Sequence, residues 1–236
     1  MRIGTSHRWS HFLYCNKRVN FGRKRSYLHE AQLNIKLLKP LIEKTEFSLS
    51  EIEGFYGFSK VKELPEKHKQ LLHKDKFNLI LHPKSKGSAR EWGEDNFTKL
   101  INILPKDKYN IFITGTKDEG TLLRDFLNEN KDKIIDLTGK LSLTELISFI
   151  NEADGLVAAS TGPLHIAASL NRIVVGIYAP IRPMHPGRWA PVGKNASYLV
   201  LDKKCDDCRR TMDCKCIREI EAFDVFKKLE NHRKNG

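Results

Sequence analysis

An apolar run, a turn of small residues and then a proline form the feature that most constrains this chain. Residues 155–159 are apolar, which is typical of a strand buried in a parallel sheet. Ser160, Thr161 and Gly162 follow as a turn. Pro163 suits the first turn of a helix, because its missing N–H would be unpaired there anyway. The stretch therefore predicts a strand, a tight turn and a helix in direct succession.

This predicted turn carries groups that favour an anion. A helix N-terminus has free backbone N–H groups and a partial positive charge, which attract a phosphate. Thr161 adds a hydroxyl, and His165 adds a titratable ring one turn into the helix. In an open α/β sheet, ligands bind at the carboxyl ends of the strands. The stretch thus predicts a phosphate or nucleotide-sugar pocket. The alternative is a turn that only connects two elements, with His165 as a core histidine.

Strand and helix patterns alternate along the chain from residue 77 onwards. Strands are predicted at 78–82, 109–114, 134–137, 155–159, 173–177 and 198–201. Helices are predicted at 29–41, 92–104, 118–130 and 142–151, after Pro163 and from about Ile220. Ser142 and Glu145 have the spacing of a capping box. This alternation predicts an α/β fold with a doubly wound, Rossmann-like parallel sheet. The polar segment 55–70 is predicted to be a linker.

A basic loop follows the first regular strand at the same predicted edge. Lys84, Lys86 and Arg90 can neutralise a diphosphate, and Ser85 and Ser88 can donate hydrogen bonds to it. The alternative is a solvated basic loop.

An acidic helix start follows the next strand. Thr116, Asp118 and Glu119 are candidates for contacts with a ribose or a base, because carboxylates accept hydrogen bonds from sugar hydroxyls. Acidic residues are also expected in the first turn of any helix, where they meet its positive end. Both interpretations stay open at this point.

The charge of the chain indicates an anionic partner. The 236 residues carry a formal net charge of +12, and the segment 17–25 is strongly basic. Charge alone leaves nucleic acid, a membrane surface and a phosphorylated substrate open. No run of about 18 apolar residues is present, and the N-terminus lacks the apolar core of a signal peptide. We therefore expect a cytoplasmic protein.

Four cysteines cluster near the C-terminal end with the spacing C-x2-C-x5-C-x-C. They are Cys205, Cys208, Cys214 and Cys216. Four thiolates could hold a structural zinc ion, but the final C-x-C differs from the separated C-x2-C hairpins of zinc knuckles. Reduced structural thiols are the other interpretation, and disulfides are expected least in a chain without a secretion signal. We favour no resident metal.

Several of these segments, in this order, resemble glycosyltransferase family 9, the ADP-heptose:lipopolysaccharide heptosyltransferases and their relatives. The matching pieces are His82-Pro83, Ala89-Arg90-Glu91-Trp92, Thr114-Gly115-Thr116, Leu137-Thr138-Gly139, Ala153-Asp154, Thr161-Gly162-Pro163-Leu164-His165-Ile166-Ala167-Ala168 and Tyr178-Ala179-Pro180. The opening residues Arg2 to Trp9 resemble the closing part of the family's N-terminal domain. The resemblance covers nearly the whole chain.

The resemblance implies a GT-B fold, in which two Rossmann-like domains face a cleft. The C-terminal domain would hold a nucleoside-diphosphate sugar, for which ADP-heptose is the family's expectation. By position, Arg90 and the Thr161-Gly162 amides would hold the diphosphate, with His165 close by, and Asp118 or Glu119 would face the nucleoside. Transfer would invert the sugar's anomeric centre and need no metal or cofactor. The acceptor would be a lipopolysaccharide-core or related anionic glycan at the inner membrane surface.

Two departures from the family pattern matter. Ser160 stands where many members have an acidic residue, and most of an N-terminal domain with its catalytic acid has no counterpart here. The general base is therefore unassigned, and Glu30 and Glu53 are candidates only by default. We divide the chain into an N-terminal-domain remnant with linker (1–70), a nucleotide-sugar domain (71–218) and a terminal helix (219–236).

The favoured prediction is a heptosyltransferase-like glycosyltransferase. A truncated, non-catalytic nucleotide-sugar-binding protein is the first alternative. A basic nucleic-acid-binding protein is the second, although aromatic residues are not interleaved with the basic segment as stacking on bases would require. Another GT-B enzyme, such as a sugar-nucleotide epimerase, is the third.

Overall fold

A computed structural model of the protein describes residues 1–23, 26–182, 184–201, 203 and 213–235. The strands are β1 (Ile3–Thr5), β2 (Lys17–Val19), β3 (Phe77–His82), β4 (Tyr109–Ile113), β5 (Ile135–Asp136), β6 (Gly155–Ala159), β7 (Ile173–Tyr178) and β8 (Ala196–Val200). The helices up to β6 are α1 (Trp9–Tyr14), α2 (Glu30–Lys36), α3 (Leu49–Glu53), α4 (Glu66–Lys69), α5 (Glu94–Ile103), α6 (Lys117–Leu122), α7 (Arg124–Asn130) and α8 (Leu143–Glu152). The later helices are α9 (Gly162–Ser169), α10 (Pro186–Trp189), α11 (Lys215–Arg218) and α12 (Ala222–Asn235).

Six strands form one parallel sheet in the order β5-β4-β3-β6-β7-β8. The chain moves outward from β3 to β5, then returns to the other side of β3 with β6, so the winding direction reverses between β3 and β6. His82 at the end of β3 pairs with Ala158 near the end of β6. This is the doubly wound order whose ligands bind at the point of reversal. The predicted fold class is confirmed.

Each face of the sheet carries its own apolar core. One core includes Leu81, Trp92 and Phe97 and extends to Val225 and Leu229 of α12. The indole Nε1 of Trp92 donates a hydrogen bond to the carbonyl of Ile220 over 2.9 Å. The terminal helix therefore packs on the sheet domain itself.

The second core lies on the opposite face. It includes Ile80 and Phe112 of the sheet, Phe149 of α8 and Leu164 of α9. The rings of Phe112 and Phe149 meet edge to face at 4.9 Å between centroids. This packing fixes the start of α9 against the sheet.

Side-chain hydrogen bonds cap several helix starts. Ser142 accepts a hydrogen bond from the Glu145 N–H, and the Glu145 carboxylate accepts one from the Ser142 N–H, as the predicted capping box requires. Hydrogen bonds to Ser142, followed by the charge of Lys67, lower the pKa of Glu145 to about 2.

The structure corrects the sequence analysis in several places. The predicted helix 118–130 is two helices, because Leu123 leaves the helical conformation between α6 and α7. The helix expected over 29–41 ends at Lys36. The basic segment contains β2, and the segment 55–70 contains α4 rather than being all linker. Patterns of three to six residues are too short to stand out by periodicity.

The segment 55–70 is docked rather than loose. Leu64 is buried in the second core, and the Ser148 hydroxyl donates to the carbonyl of Lys62 over 2.8 Å. Residues 1–19 form a separate two-stranded parallel sheet, β1-β2, with α1 between the strands. In the described part of the chain, no helix is long and apolar enough to cross a membrane.

Candidate functional site

Three adjoining cavities lie near the carboxyl ends of the strands. The first, here called the β3–β4 cavity, measures about 320 Å³ and begins at the ends of those strands. The second, the Trp189 cavity, measures about 450 Å³. The third, the N-terminal cleft, measures about 1270 Å³ and is lined by residues of β1, the start of α2 and Arg188. Ser88, Thr161 and Gly162 line the first two cavities, and Arg188 lines the second and third.

The start of α9 separates the first two cavities and lacks polar partners. Thr161 is its N-cap residue in extended conformation, and no described side chain caps this helix start. Thr161 is only 4% exposed, and its hydroxyl has no hydrogen-bond partner among the described residues. A Cβ added to Gly162 would meet no described heavy atom within 4 Å. Buried polar groups are nearly always paired, so this turn has room and donors for a ligand.

The β3–β4 cavity has a polar floor and an apolar wall. Leucines make the wall: Leu137, Leu141, Leu143 and Leu146. On the floor, His82 Nδ1 lies 3.0 Å from the Thr114 hydroxyl oxygen. Burial lowers the pKa of His82, outweighing the nearby carboxylates of Glu119 and Glu91, so the imidazole is neutral near pH 7. An apolar wall facing a few fixed polar groups suits a nucleobase and its ribose.

The acidic helix start forms a capping box beside the β3–β4 cavity. The Glu119 carboxylate lines the cavity and accepts hydrogen bonds from the Thr116 N–H at 2.7 Å and the Thr116 hydroxyl at 3.0 Å. Thr116 also lines the cavity. Asp118 is exposed and is not among the described lining residues. The capping box therefore positions Glu119 rather than Asp118 toward the cavity.

The basic loop uses some of its predicted ligand groups internally. Lys84 Nζ lies 2.8 Å from Glu94 and 3.3 Å from Glu91. Burial alone would lower the pKa of Lys84, but its hydrogen bonds and attraction to these two carboxylates raise it. The Ser85 hydroxyl donates to the Ala89 carbonyl over 2.9 Å. Lys84 thus stays charged, but two carboxylates hold it.

Three residues of the same loop, Ser85 among them, also face the ligand space. Ser85, Lys86 and Ser88 line the β3–β4 cavity, and Lys86 and Gly87 turn the chain with positive φ angles of 47° and 80°. Arg90 is buried and is not among the described lining residues. The sequence alone could not show this division, because it depends on carboxylates supplied by the following segment.

The Trp189 cavity contains the predicted histidine. His165 lines it together with Ser160 and Trp189, and the rings of His165 and Trp189 lie 6.3 Å apart. Burial, followed by the proximity of His29, lowers the pKa of His165 to about 4. Its imidazole is therefore neutral near pH 7 and offers hydrogen bonds rather than positive charge.

The N-terminal segment is attached beside this cavity by polar contacts that the sequence analysis missed. His29 Nε2 donates to the Ala190 carbonyl over 2.9 Å, across 161 sequence positions. Glu30 is 6% exposed and pairs with Arg23 and with Arg188, whose Nε lies 2.9 Å from it. Tyr178, the last residue of β7, donates from its hydroxyl to the Trp189 carbonyl. These contacts position α10 between the cavity and the cleft.

Glu30 and Glu53, the two candidates for a general base, have different surroundings. Both carboxylate oxygens of Glu30 are taken up by guanidinium groups. Glu53 ends α3 and is not among the described residues that line the cavities or the cleft.

The cysteine cluster is only half described. Cys214 and Cys216 are buried in the core that includes α12, while Cys205 and Cys208 lie outside the described residues. Within the described ranges, no three His, Cys, Asp or Glu residues are grouped as a metal site. The zinc alternative stays a prediction.

Curated relatives match much of the chain. A putative glycosyltransferase of Haemophilus influenzae is 26% identical over 201 residues, covering 81% of this chain and 57% of that protein. The lipopolysaccharide core heptosyltransferase OpsX of the same organism is 23% identical over 193 residues, covering 71% and 52%. The chain thus spans about half the length of these relatives.

Solved structures share the fold. A family 9 glycosyl transferase from Veillonella parvula has a TM-score of 0.74 at 19% identity, covering 99% of this chain and 67% of that one. E. coli heptosyltransferase WaaC with ADP has a TM-score of 0.59 at 17% identity, covering 93% and 61%. The sequence model described as glycosyltransferase family 9 (heptosyltransferase) matches residues 1–217. The predicted family is confirmed, and the chain belongs to glycosyltransferase family 9.

Proposed function

We propose that this chain binds a nucleoside-diphosphate sugar and acts in glycosyl transfer to a lipopolysaccharide-core or related glycan. The observation that carries the proposal is the buried Thr161 hydroxyl without a described partner, at the start of α9 where two cavities meet. The site also lies where the sheet reverses its winding. The solved WaaC structure with ADP supports adenine as the base, and ADP-heptose is the donor that the family leads us to propose.

The three parts of such a donor have separate places. The base and ribose fit the β3–β4 cavity, between its leucine wall and the groups of Thr116 and Glu119. The diphosphate fits beside Ser88, Thr161 and Gly162, which both cavities share. The sugar then enters the Trp189 cavity, where Ser160 and the neutral imidazole of His165 offer hydrogen bonds.

Transfer breaks the bond between the sugar's C1 and the diphosphate oxygen while an acceptor hydroxyl attacks C1 and loses its proton to a carboxylate base, a role that we assign to no described residue. The amides and dipole at the start of α9 stabilise the negative charge that develops on the leaving diphosphate. The acceptor approaches from the N-terminal cleft, which adjoins the Trp189 cavity through Arg188. We propose inversion at C1 without a metal ion or other cofactor, and we assign no general base to Glu30 or Glu53.

Binding without catalysis is the second candidate. The pairing of both Glu30 oxygens with arginines favours it, because these oxygens are then not free to accept a proton. The two candidates differ in turnover, not in donor binding.

The test has two stages. A thermal-shift titration with ADP, GDP, UDP and CDP should give a saturable shift that is largest for ADP, since a ligand of the folded state stabilises it by RT ln(1 + [L]/Kd). No shift with any of the four would reject the donor site. Release of ADP from ADP-heptose that depends on an added lipopolysaccharide-core acceptor would establish transfer. Binding without such release would establish the second candidate.

We also propose that α1 contacts the anionic membrane surface where a glycolipid acceptor lies. Trp9, Phe12, Leu13 and Tyr14 are each more than half exposed on this short helix. The Arg18 guanidinium lies 4.3 Å from the centre of the Phe12 ring, so aromatic and cationic groups share one surface. Tryptophan and tyrosine favour the membrane–water interface, and basic residues are attracted to anionic lipids.

A further inference from the structure

The helix α10 is one turn long, and its place in the molecule depends on contacts outside itself. It has four residues, and its N-cap residue His185 accepts a hydrogen bond from the Gly187 N–H over 3.0 Å. One turn is not stable alone, because its few hydrogen bonds do not offset the ordering of its backbone. Its last carbonyl groups also lack partners inside the helix. The side chains that bind these carbonyls therefore decide where α10 lies.

The sheet domain holds one of these carbonyls through Tyr178. This residue ends β7, is 1% exposed and donates from its hydroxyl to the Trp189 carbonyl. Burial raises the pKa of Tyr178 and outweighs a hydrogen bond from the Ser160 side chain, so the phenol keeps its proton near pH 7. The bond therefore ties α10 to the carboxyl end of the sheet.

The N-terminal segment holds the next carbonyl through His29. Its Nδ1 accepts a hydrogen bond from the Ala31 N–H over 3.2 Å at the start of α2. Burial lowers the pKa of His29 more than the bond to Ala190 raises it, so the ring is neutral near pH 7. A neutral imidazole that accepts at Nδ1 carries its proton on Nε2. Nε2 therefore donates to the Ala190 carbonyl, which lies 2.9 Å away.

These two hydrogen bonds fix Trp189 as a wall of the Trp189 cavity. Trp189 is 36% exposed, and its ring lies 6.3 Å from the His165 ring with 59° between their planes. Two consecutive carbonyls, those of Trp189 and Ala190, are held by different parts of the chain. A misplacement of about 1 Å can cost a site about 100-fold in rate. The two donors thus control the shape of this cavity.

We infer that His29 and Tyr178 are positioning residues for the sugar part of the donor, which they serve by holding Trp189 in place. The inference rests on the proposed function, in which the sugar enters the Trp189 cavity. It adds that a residue of the N-terminal segment completes the donor side of the site. Selectivity for a nucleoside-diphosphate sugar over the bare nucleoside diphosphate then depends on both hydrogen bonds, whereas binding of the nucleotide part depends on neither.

The first experiment compares the affinities of ADP and ADP-heptose by calorimetry. We expect the wild-type chain to bind ADP-heptose about tenfold more tightly than ADP. Tyr178→Phe should reduce this preference at least fivefold and change ADP affinity less than twofold. Tyr198→Phe is the matched control, because it removes a hydroxyl from an exposed neighbouring ring that is not among the described lining residues of the cavity. It should change the preference less than twofold.

A pair of substitutions at position 29 isolates the second hydrogen bond. His29→Leu and His29→Gln both remove the imidazole Nδ1 that caps α2, but only the glutamine keeps an N–H donor near the place of Nε2. His29→Leu should reduce the preference for ADP-heptose at least fivefold. His29→Gln should stay within twofold of the wild-type chain, which a role in capping α2 alone does not predict.

Fluorine NMR of the chain labelled with 5-fluorotryptophan reports the surroundings of Trp189 without any ligand. The three tryptophans give one resonance each, and Trp189→Phe assigns that of Trp189. Tyr178→Phe and His29→Leu should shift or broaden this resonance and leave that of the buried Trp92 unchanged. A general loss of stability does not select one tryptophan of the folded protein, so the spectra are recorded well below the melting temperature of each variant.

An unchanged Trp189 resonance in both variants, an unchanged preference for ADP-heptose, or an equal loss of ADP and ADP-heptose affinity would overturn the inference. So would a wild-type chain that binds ADP-heptose no more tightly than ADP, a result that leaves the nucleotide site of the proposed function intact. If neither compound binds the wild-type chain, the proposed function fails. The Trp189 resonance then still decides whether the two hydrogen bonds hold α10.

Discussion

The imidazole Nδ1 of His82 and the hydroxyl oxygen of Thr114 lie 3.0 Å apart at the floor of the β3–β4 cavity. His82 ends β3, and Thr114 directly follows β4, so the pair joins neighbouring strands at the sheet edge. Both side chains are buried, at 7% and 1% exposure. This cross-strand bond shapes the cavity and contrasts with Thr161, whose equally buried hydroxyl has no described partner.

Removal of the Thr114 hydroxyl should destabilise the protein. Thr114→Val keeps the shape of the side chain but leaves His82 Nδ1 without its partner in a buried place. We expect the free energy of unfolding to fall by about 1–3 kcal/mol, the cost of an unsatisfied buried polar group. Urea denaturation measures this change in the free energy of unfolding. A change below about 0.5 kcal/mol, within the range of neutral surface substitutions, would contradict the structural role of the pair.

Removal of the Thr161 hydroxyl should weaken ADP binding without destabilising the protein. Thr161→Val deletes a buried polar group that has no described partner, so the free energy of unfolding should stay the same or rise. ADP affinity should fall about tenfold, equivalent to about 1.4 kcal/mol, because the hydroxyl is proposed to bind the diphosphate. Calorimetry with ADP measures the second effect. Loss of stability without loss of affinity would assign Thr161 to the fold alone.

A methyl group at position 162 should obstruct the ligand without disturbing the fold. The Cβ of Gly162→Ala would meet no described heavy atom within 4 Å. We expect an unchanged melting temperature and weaker ADP binding. Gly193→Ala is the matched control, because its Cβ would lie 2.9 Å from the Ala168 carbonyl oxygen. It should cost about 1–3 kcal/mol of stability. Unaltered ADP affinity in Gly162→Ala would show that the diphosphate does not bind at this turn.

Acid should destabilise the protein through its buried histidines. The pKa of His165 is about 4 in the folded protein and about 6.5 when unfolded. The unfolded state therefore binds more protons between these values, and the free energy of unfolding falls as pH drops below 6.5. From pH 6.5 to pH 5, His165 should contribute about 1.5 kcal/mol of that fall.

The slope of stability against pH is the quantity to measure. His165→Gln should reduce the fall between pH 6.5 and pH 5, a window above the ordinary titration of carboxylates. Equal slopes for the wild-type chain and His165→Gln would show that the His165 ring is solvated in solution.

The exposed aromatic groups of α1 should support binding to anionic vesicles. We expect the chain to sediment with vesicles containing phosphatidylglycerol and less with neutral phosphatidylcholine vesicles, because basic residues flank the helix. The double substitution Trp9→Ala and Phe12→Ala should reduce binding severalfold. Phe223→Ala, an exposed aromatic on α12, is the control. If the double variant and Phe223→Ala bound the vesicles equally, α1 would not be part of the membrane contact.

Much of the secondary structure of the sheet domain could be predicted from local sequence patterns. All six strands of the main sheet lie within two residues of their predicted ends, because buried parallel strands are continuous apolar runs bounded by polar turns. The strand β2 and the helix α4 were missed, since their three and four residues carry too little periodicity. The Thr161-Gly162 turn was found because a strand, small residues and a helix-starting proline follow each other directly.

The sequence by itself thus determined the α/β class, the capped start of α8, the family and the turn at α9. Those features depend on residues close in the chain. Only the tertiary structure decided which candidate groups face a ligand: Glu119 rather than Asp118, and Lys86 rather than the carboxylate-bound Lys84. It also decided that Glu30 meets Arg188, 158 positions away. The contact between Glu30 and Arg188 depends on how distant segments pack, which no local pattern encodes.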